Sequence, residues 1–290
     1  MAGGPSTPSL VNAVSFGFIA LGTCPPGQAR EWLAQCEAPF AANLFMPQSE
    51  PLRTEAAVVA ARLGVGVPLV DLSCGFEEKF TAVLEAAPAI VSCTFGCFTM
   101  EQIARLHSAS SQVWCTVTSE RQAREAARRG VDGLVVQGPL AGGHRGTWTV
   151  GEDPGAEPLE TLLQRIVPLG LPVIAAGGAR DAADVARLIG LGAQSVACGT
   201  AFLLADEAGT SKANRALLRS GRESVLTRAF SGRWARGLES EFTRAHPDLP
   251  PAYPYLRPMT PQNEYCLVGA ERGELMAAPA AAIEASLTPR

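Results

Sequence analysis

The chain has 290 residues, 47% of them apolar, and a formal net charge of −4. That length and composition exclude a disordered chain and give room for one large α/β domain or two smaller ones. The acidic balance and the lack of any basic stripe exclude nucleic acid as a partner class.

The start, Met1 followed by Gly, Pro and Ser, has neither the basic flank nor the apolar centre of a signal peptide. No apolar run is long enough to cross a bilayer, so no membrane partner is expected and a cytoplasmic location is. The eight cysteines (Cys24, Cys36, Cys74, Cys93, Cys97, Cys115, Cys198 and Cys266) are scattered, several in strand-like contexts, and read as free core thiols. Cys93 and Cys97 are the closest pair, and no further ligand stands near them in the sequence. No metal site is expected.

Phe16–Leu21 is the first strand expected, followed by a helix over Gly27–Gln35 that Pro25 and Pro26 introduce. A strand over Phe40–Phe45, a helix over Glu50–Leu63 and a helix over Phe80–Ala87 come next. Ala89–Cys93 and Gln112–Val117 read as strands, with a helix over Met100–Ala109 between them. Ser119 caps a helix running to Arg129. Val131–Val136 is a strand buried on both faces by its apolar run. Beyond the loop that follows it, the pattern predicts a helix over Leu159–Val167 and a strand over Pro172–Ala176. A helix over Asp181–Ile189, a strand over Gln194–Cys198 and a short helix around Phe202–Ala205 complete it.

Short apolar strands joined through helices predict an all-parallel α/β sheet, either barrel or doubly wound. Seven strands are counted where a TIM-type (β/α)8 barrel needs eight. Val65–Leu72 is a poor candidate for the eighth because of Pro68, so the chain is expected to lack the barrel's first strand. From Ala229 the chain turns Arg-rich and then Pro-rich. The expected division is a barrel over residues 1–228 and a cap segment over residues 229–290, ending in an Ala-rich helix over Met276–Ala285.

Parallel barrels place their chemistry at the carboxyl ends of the strands and often bind phosphate on the loops after the last two. Gly177 and Gly178 follow one of those strands. Gly199 and Thr200 follow the other, opening a short helix. Backbone N–H groups there, with the Thr200 hydroxyl, suit a phosphate dianion. Two strands earlier, Gln137 ends a strand and Gly138, Gly142, Gly143 and Gly146 surround His144, one of only three histidines. Such a tip offers an amide, bare backbone and an imidazole together. A ligand with a phosphate at one end and a flat ring at the other, such as FMN, would bridge the two places, and Asn43 could offer its amide to the ring edge.

The stretches VVQGPLAGGHRGTW, PVIAAGGARDAADVARLIGLGAQSVACGTAFL and TRAFSGRWARGL, with MAGGPSTPSL and FAANLF, resemble the nitronate monooxygenase family over roughly residues 1–245. The resemblance implies an FMN-binding TIM barrel that oxidises alkyl nitronates with O2 to carbonyl compounds and nitrite. It implies FMN contacts at Asn43, Gln137, Gly142, Gly143, Gly177, Gly178, Ala197, Cys198, Gly199 and Thr200. It also implies that His144 is the catalytic base in members that accept neutral nitroalkanes. A histidine suits that task because it titrates near neutral pH. The chain departs from the family pattern in several places. It begins inside the motif that usually follows a full strand, and the join at Ser15-Phe16-Gly17 is short. Ala197 stands where Gln is usual, and the usual C-terminal Trp motif is not recognisable after Pro261. Two other readings compete: a flavin barrel of the enoyl-acyl carrier protein reductase kind, and a truncated remnant without activity.

Overall fold

A computed structural model describes residues 5–48 and 53–289. The part of the expected Glu50–Leu63 helix that falls on residues 50–52 lies outside these, as do residues 1–4 of the resemblance.

Seven parallel strands curl into a TIM-type half-barrel: β1 (Phe18–Ala20), β2 (Ala41–Phe45), β3 (Ile90–Thr94), β4 (Gln112–Val117), β5 (Gly133–Gln137), β7 (Val173–Ala176) and β8 (Ser195–Ala197). β6 (Gly143–His144) belongs to a second sheet. The order β1-β2-β3-β4-β5-β7-β8 is that of the chain, so every connection steps to the next strand. The seven expected strands are all present, each within a few residues of its expected bounds. β2 is buried at all five positions, as a strand covered on both faces must be.

Flanking helices begin and end where local chemistry dictates. α1 (Pro8–Asn12) and α2 (Pro26–Gln35) carry proline in their first turn. α3 covers Arg53–Leu63. α4 spans Phe76–Ala86 rather than starting at Phe80, because Gly75, left-handed at φ 66°, breaks the chain just ahead of it. A capping box between Thr99 and Gln102 starts α5 (Met100–Ser108). Ser119 caps α6 (Glu120–Arg129), which stops at left-handed Gly130. α7 (Leu159–Ile166) and α8 (Ala182–Gly190, capped by Asp181) complete the layer around the sheet. The short helix expected near Phe202 is a 3-10 turn over Thr200–Leu204.

β1 and β8 do not pair with each other among the described residues. Other contacts cover that side. Thr7 Oγ1 donates to the Glu207 carbonyl at 2.8 Å, and Gly209 N donates to the Pro5 carbonyl at 3.0 Å. The helix expected over Met276–Ala285 starts later, after Pro279, at Ala280–Leu287, and packs Ile283 and Leu287 against Leu10, Val14 and Phe202.

The second sheet was not expected. β6 (Gly143–His144) pairs antiparallel with β10 (Ala235–Leu238), which pairs with β9 (Ser224–Thr227). The glycine-rich segment after β5 is therefore held as a strand at His144, in register with Ala235, instead of forming an open loop throughout. Residues 266–268 run along β10, through Leu238 N to the Cys266 carbonyl and Val268 N to the Arg236 carbonyl.

The register of β3 on β4 pairs Cys93 with Cys115, and the loop after β3 brings in Cys97. The sequence shows no third ligand near Cys93 and Cys97. The fold supplies one, with the three sulfurs within 4.8 Å of one another.

Candidate active site

The carboxyl ends of β5, β7 and β8 lie side by side, with Gln137 in register with Ala176 and Ala176 with Ala197. Gly177 and Gly178 leave β7 in left-handed conformations, φ 108° and 81°. A Cβ on Gly177 would lie 2.8 Å from Ala141 N, and one on Gly178 would lie 3.3 Å from Leu140 Cδ1. So the glycines after β7 are packed under the loop after β5. On its other side, a Cβ on Gly142 would meet Gly269 N at 2.5 Å, and Gly269 N donates to Thr200 Oγ1 at 2.9 Å. The expected residues after β5, β7 and β8 are thus joined through Leu140–Gly142 and Val268–Gly269. Gly199 and Cys198 follow β8 into the 3-10 turn, and burial pushes the Cys198 thiol up to about 11.

Asn43 sits inside β2, not at its tip, and is buried. Its Nδ2 donates to Ser92 Oγ at 2.7 Å and to Thr94 Oγ1 at 3.2 Å, and Thr94 Oγ1 meets Thr116 Oγ1 at 3.1 Å. These form a polar row across β2, β3 and β4. Gln137 uses both ends of its amide on the chain itself. Nε2 donates to the His144 carbonyl at 2.8 Å, and Oε1 accepts from Gly146 N at 2.9 Å. It fixes the His144 segment from behind.

His144 Nε2 lies 2.8 Å from Ser231 Oγ. Its ring meets those of Phe45, Phe95 and Tyr253 edge-on at centroid distances of 6.4, 5.7 and 5.9 Å. Desolvation, with help from the Arg233 charge, drives its pKa down to about 3. The imidazole is therefore neutral at physiological pH, a proton acceptor rather than an acid. It is also a weak base until negative charge develops beside it.

That ring opens on a cavity of about 480 Å³, lined by Lys79, Asp71, Cys24, Ser231 and Tyr253 among others. Lys79 is 2% exposed, its Nζ donating to the Gly22 carbonyl at 3.4 Å, and burial lowers its pKa. Asp71 spends its carboxylate on Ser73 N, Ser73 Oγ and Gly75 N at 2.7–2.9 Å. That leaves the lysine as the buried charge at this wall.

Two buried arginines stand behind His144. Arg233 donates to the Thr147 carbonyl at 2.6 Å and to Gln48 Oε1 at 2.5 Å, and lies 4.0 Å over the Phe95 ring. Gly232, at φ 88°, lets this segment pass the chain at Ala252, which any Cβ would strike at 2.3 Å. Arg145 is different. It is 1% exposed, and Nε, Nη1 and Nη2 have no hydrogen-bond partner among the described residues. Burial and Arg236 lower its pKa to about 10, so it stays charged at neutral pH.

Sequence reasoning missed Lys79, Ser231, Tyr253 and the two arginines. Lys79 carried a signal, being one of two lysines. The other histidines are elsewhere. His107 lies in α5, 2.8 Å from Asp132, and His246 ends a short helix against Phe242.

The family described as nitronate monooxygenase matches this chain over residues 1–283. A protein from Pseudomonas aeruginosa named nitronate monooxygenase is 34% identical over 281 residues, 87% of this chain and 80% of that one. A solved structure of nitroalkane oxidase from Streptomyces ansochromogenes superposes with a TM-score of 0.88 at 31% identity, covering 99% of this chain and 92% of that one. The FabK structure from Thermotoga maritima, at TM-score 0.73 and 20% identity over 98% of this chain and 88% of that one, shares the fold.

Proposed function

The chain belongs to the nitronate monooxygenase family, and we propose that it oxidises alkyl nitronates with O2 to carbonyl compounds and nitrite, with FMN as cofactor. One observation carries the reading. A neutral imidazole, His144, opens on a 480 Å³ cavity that a buried lysine also lines, and the segment carrying it continues from the loop packed over the glycines after β7.

The residues present fit a flavin mononucleotide. Arg145 is a buried guanidinium with no partner among the described residues, and such a charge calls for an anionic group. Gly143, with nothing within 4 Å of where a Cβ would stand, leaves the backbone beside His144 open to close approach. Asn43, Gln137, Gly142, Gly143, Gly177, Gly178 and the run Ala197, Cys198, Gly199 and Thr200 would hold the cofactor, with Arg145 added to them. FMN supplies the electron-accepting chemistry when bound.

The chain's own groups do the rest. Lys79 attracts the nitronate anion into the cavity. Tyr253, Phe45 and Phe95 pack edge-on around the half-buried imidazole and hold it facing the cavity. Ser231 orients the His144 ring through Nε2. When the substrate is a neutral nitroalkane, His144 takes the carbon-bound proton. The anion left behind stabilises the imidazolium, offsetting what burial and Arg233 withhold. A nitronate has already lost that proton and needs no base. In this reading residues 229–290 cap the barrel formed by residues 1–228, contributing Ser231, Arg233 and Tyr253.

Spectroscopy tests it. Purified protein, reconstituted with FMN if needed, should show flavin absorbance that bleaches on adding an alkyl nitronate without O2. Admitting O2 should restore the colour and release nitrite. A protein that stays colourless with added FMN would overturn the reading. So would bleaching by NAD(P)H alone with turnover of an enoyl thioester.

A further inference from the structure

The cysteine trio lies on the face of the sheet opposite the polar row. Ser92, Thr94 and Thr116 join Asn43 in that row, so the intervening Cys93 and Cys115 point the other way, into the layer of helices. Pairing of Cys93 with Cys115 in the β3–β4 register puts both side chains on the same face. The chain then turns sharply after β3. Phe95 at φ 73° and Gly96 at φ 156° fold it back, so that Cys97 reaches over the two strands. All three are free thiols. Cys93 and Cys115 are fully buried, and Cys97 is 6% exposed.

From this convergence we propose that Cys93, Cys97 and Cys115 form a structural site for a thiophilic divalent cation of the Zn(II) class, with the Gly96 carbonyl as fourth donor. Sulfurs about 2.3 Å from such an ion stand roughly 3.8 Å apart in a tetrahedron. The three here already lie within 4.8 Å of one another, so side-chain adjustment of under about 1 Å closes the site. Gly96 O is 3.4 Å from both Cys93 Sγ and Cys115 Sγ. As the metal displaces the protons of those thiols to solvent, the S–H bonds to that carbonyl are given up and it can turn toward the same point.

Charge selects the ion. Three thiolates around a divalent cation leave one net negative charge, and around Cu(I) they leave two, in a core where unpaired charge is costly. Arg129, which donates from Nη1 to the Cys97 carbonyl at 3.1 Å, is the cation alongside. All four donors come from the protein, leaving no open position. The site would tie β3, β4 and the loop into α5 together as a structural centre. A disulfide would use only two of the three sulfurs.

The test uses the full-length protein, reduced and freed of metal. It is titrated with Zn(II) against a chromophoric chelator, and separately with Cd(II) for X-ray absorption. One equivalent of Zn(II) should bind, Cd(II) should show three sulfur neighbours, and thermal unfolding should move to higher temperature. Cys97→Ser should abolish the stoichiometric binding, while Cys266→Ser, outside the trio, should keep it. Failure to take up one equivalent overturns the proposal, as do fewer than three sulfurs around Cd(II) in the unsubstituted protein. Unchanged binding in Cys97→Ser does too. The Cd(II) measurement needs no variant, so it decides the question even if Cys97→Ser fails to fold.

Discussion

Arg145→Met should move stability and cofactor binding in opposite directions. The guanidinium is 1% exposed, holds its charge at neutral pH and has no hydrogen-bond partner among the described residues. Without an anion beside it, such a group is a liability. Replacing buried charges by apolar side chains of similar volume is often neutral or stabilising, by about 1–4 kcal/mol. For a chain of this size each kcal/mol moves the midpoint roughly 2–4 °C. The flavin-free variant should therefore melt a few degrees higher than flavin-free wild type. With FMN the sign reverses. A hydrogen bond to a charged group contributes about 1.5–3 kcal/mol, so FMN should bind the variant about 10- to 100-fold more weakly. Differential scanning of both proteins, with and without added FMN, reads both effects, and fluorescence quenching of the flavin gives the affinity. If flavin-free Arg145→Met is the less stable protein and its FMN affinity is unchanged, then Arg145 supports the barrel by packing, and its assignment to the cofactor is wrong.

The other expectations concern the cavity wall. His144→Asn should retain FMN and lose activity on neutral nitroalkanes by about 10²–10⁴-fold, the usual range for a general base, with far less effect on nitronates. Equal loss on both substrates in steady-state assays would make His144 a binding residue instead. The folded His144 pKa of about 3 lies below the usual 6.5, so its contribution to stability is present above pH 6.5 and is lost as pH falls toward 3. Across that window wild type should lose stability faster than His144→Asn, by up to about 1.4 kcal/mol per pH unit, and parallel denaturant curves from pH 7 to 5 would disprove the assignment. Lys79→Met should raise KM for nitronates about 10- to 100-fold, the value of a charged hydrogen bond, and leave kcat near wild type. An unchanged KM would remove Lys79 from substrate recognition. Gly178→Val places a branched side chain against Leu140 at a left-handed position, so FMN stoichiometry should fall; full occupancy would show that the backbone here does not approach the cofactor.

Local pattern and through-space contact divide what the sequence can tell from what it cannot. The seven strands of the half-barrel stand out because burial on both faces leaves a short apolar run between helix signals, and β2 is such a run. Ser119 and Asp181 likewise announce their helices locally. β6, β9 and β10 could not be read this way. Two residues of β6 have no period, and β10 contains Arg236, whose place in a strand is set by pairing with Gly143. The candidate site divides along the same line. Gly177, Gly178 and His144 are visible because glycine clusters and rare histidines stand out in any chain. Ser231 is not, because it meets the imidazole across 87 residues of sequence. Gln137 was legible as a polar strand end, but the bonds that both ends of its amide make to the His144 segment were not. The cysteines show the same division. Cys93 and Cys97 are close in the chain, but their third neighbour arrives only through the register of β3 on β4. One residue of slip would turn Cys115 to the opposite face, among the side chains of the polar row. The same register sets Thr94 beside Thr116 on that opposite face. A single strand pairing thus decides both the polar lining behind the flavin-site candidates and the thiol cluster on the other side.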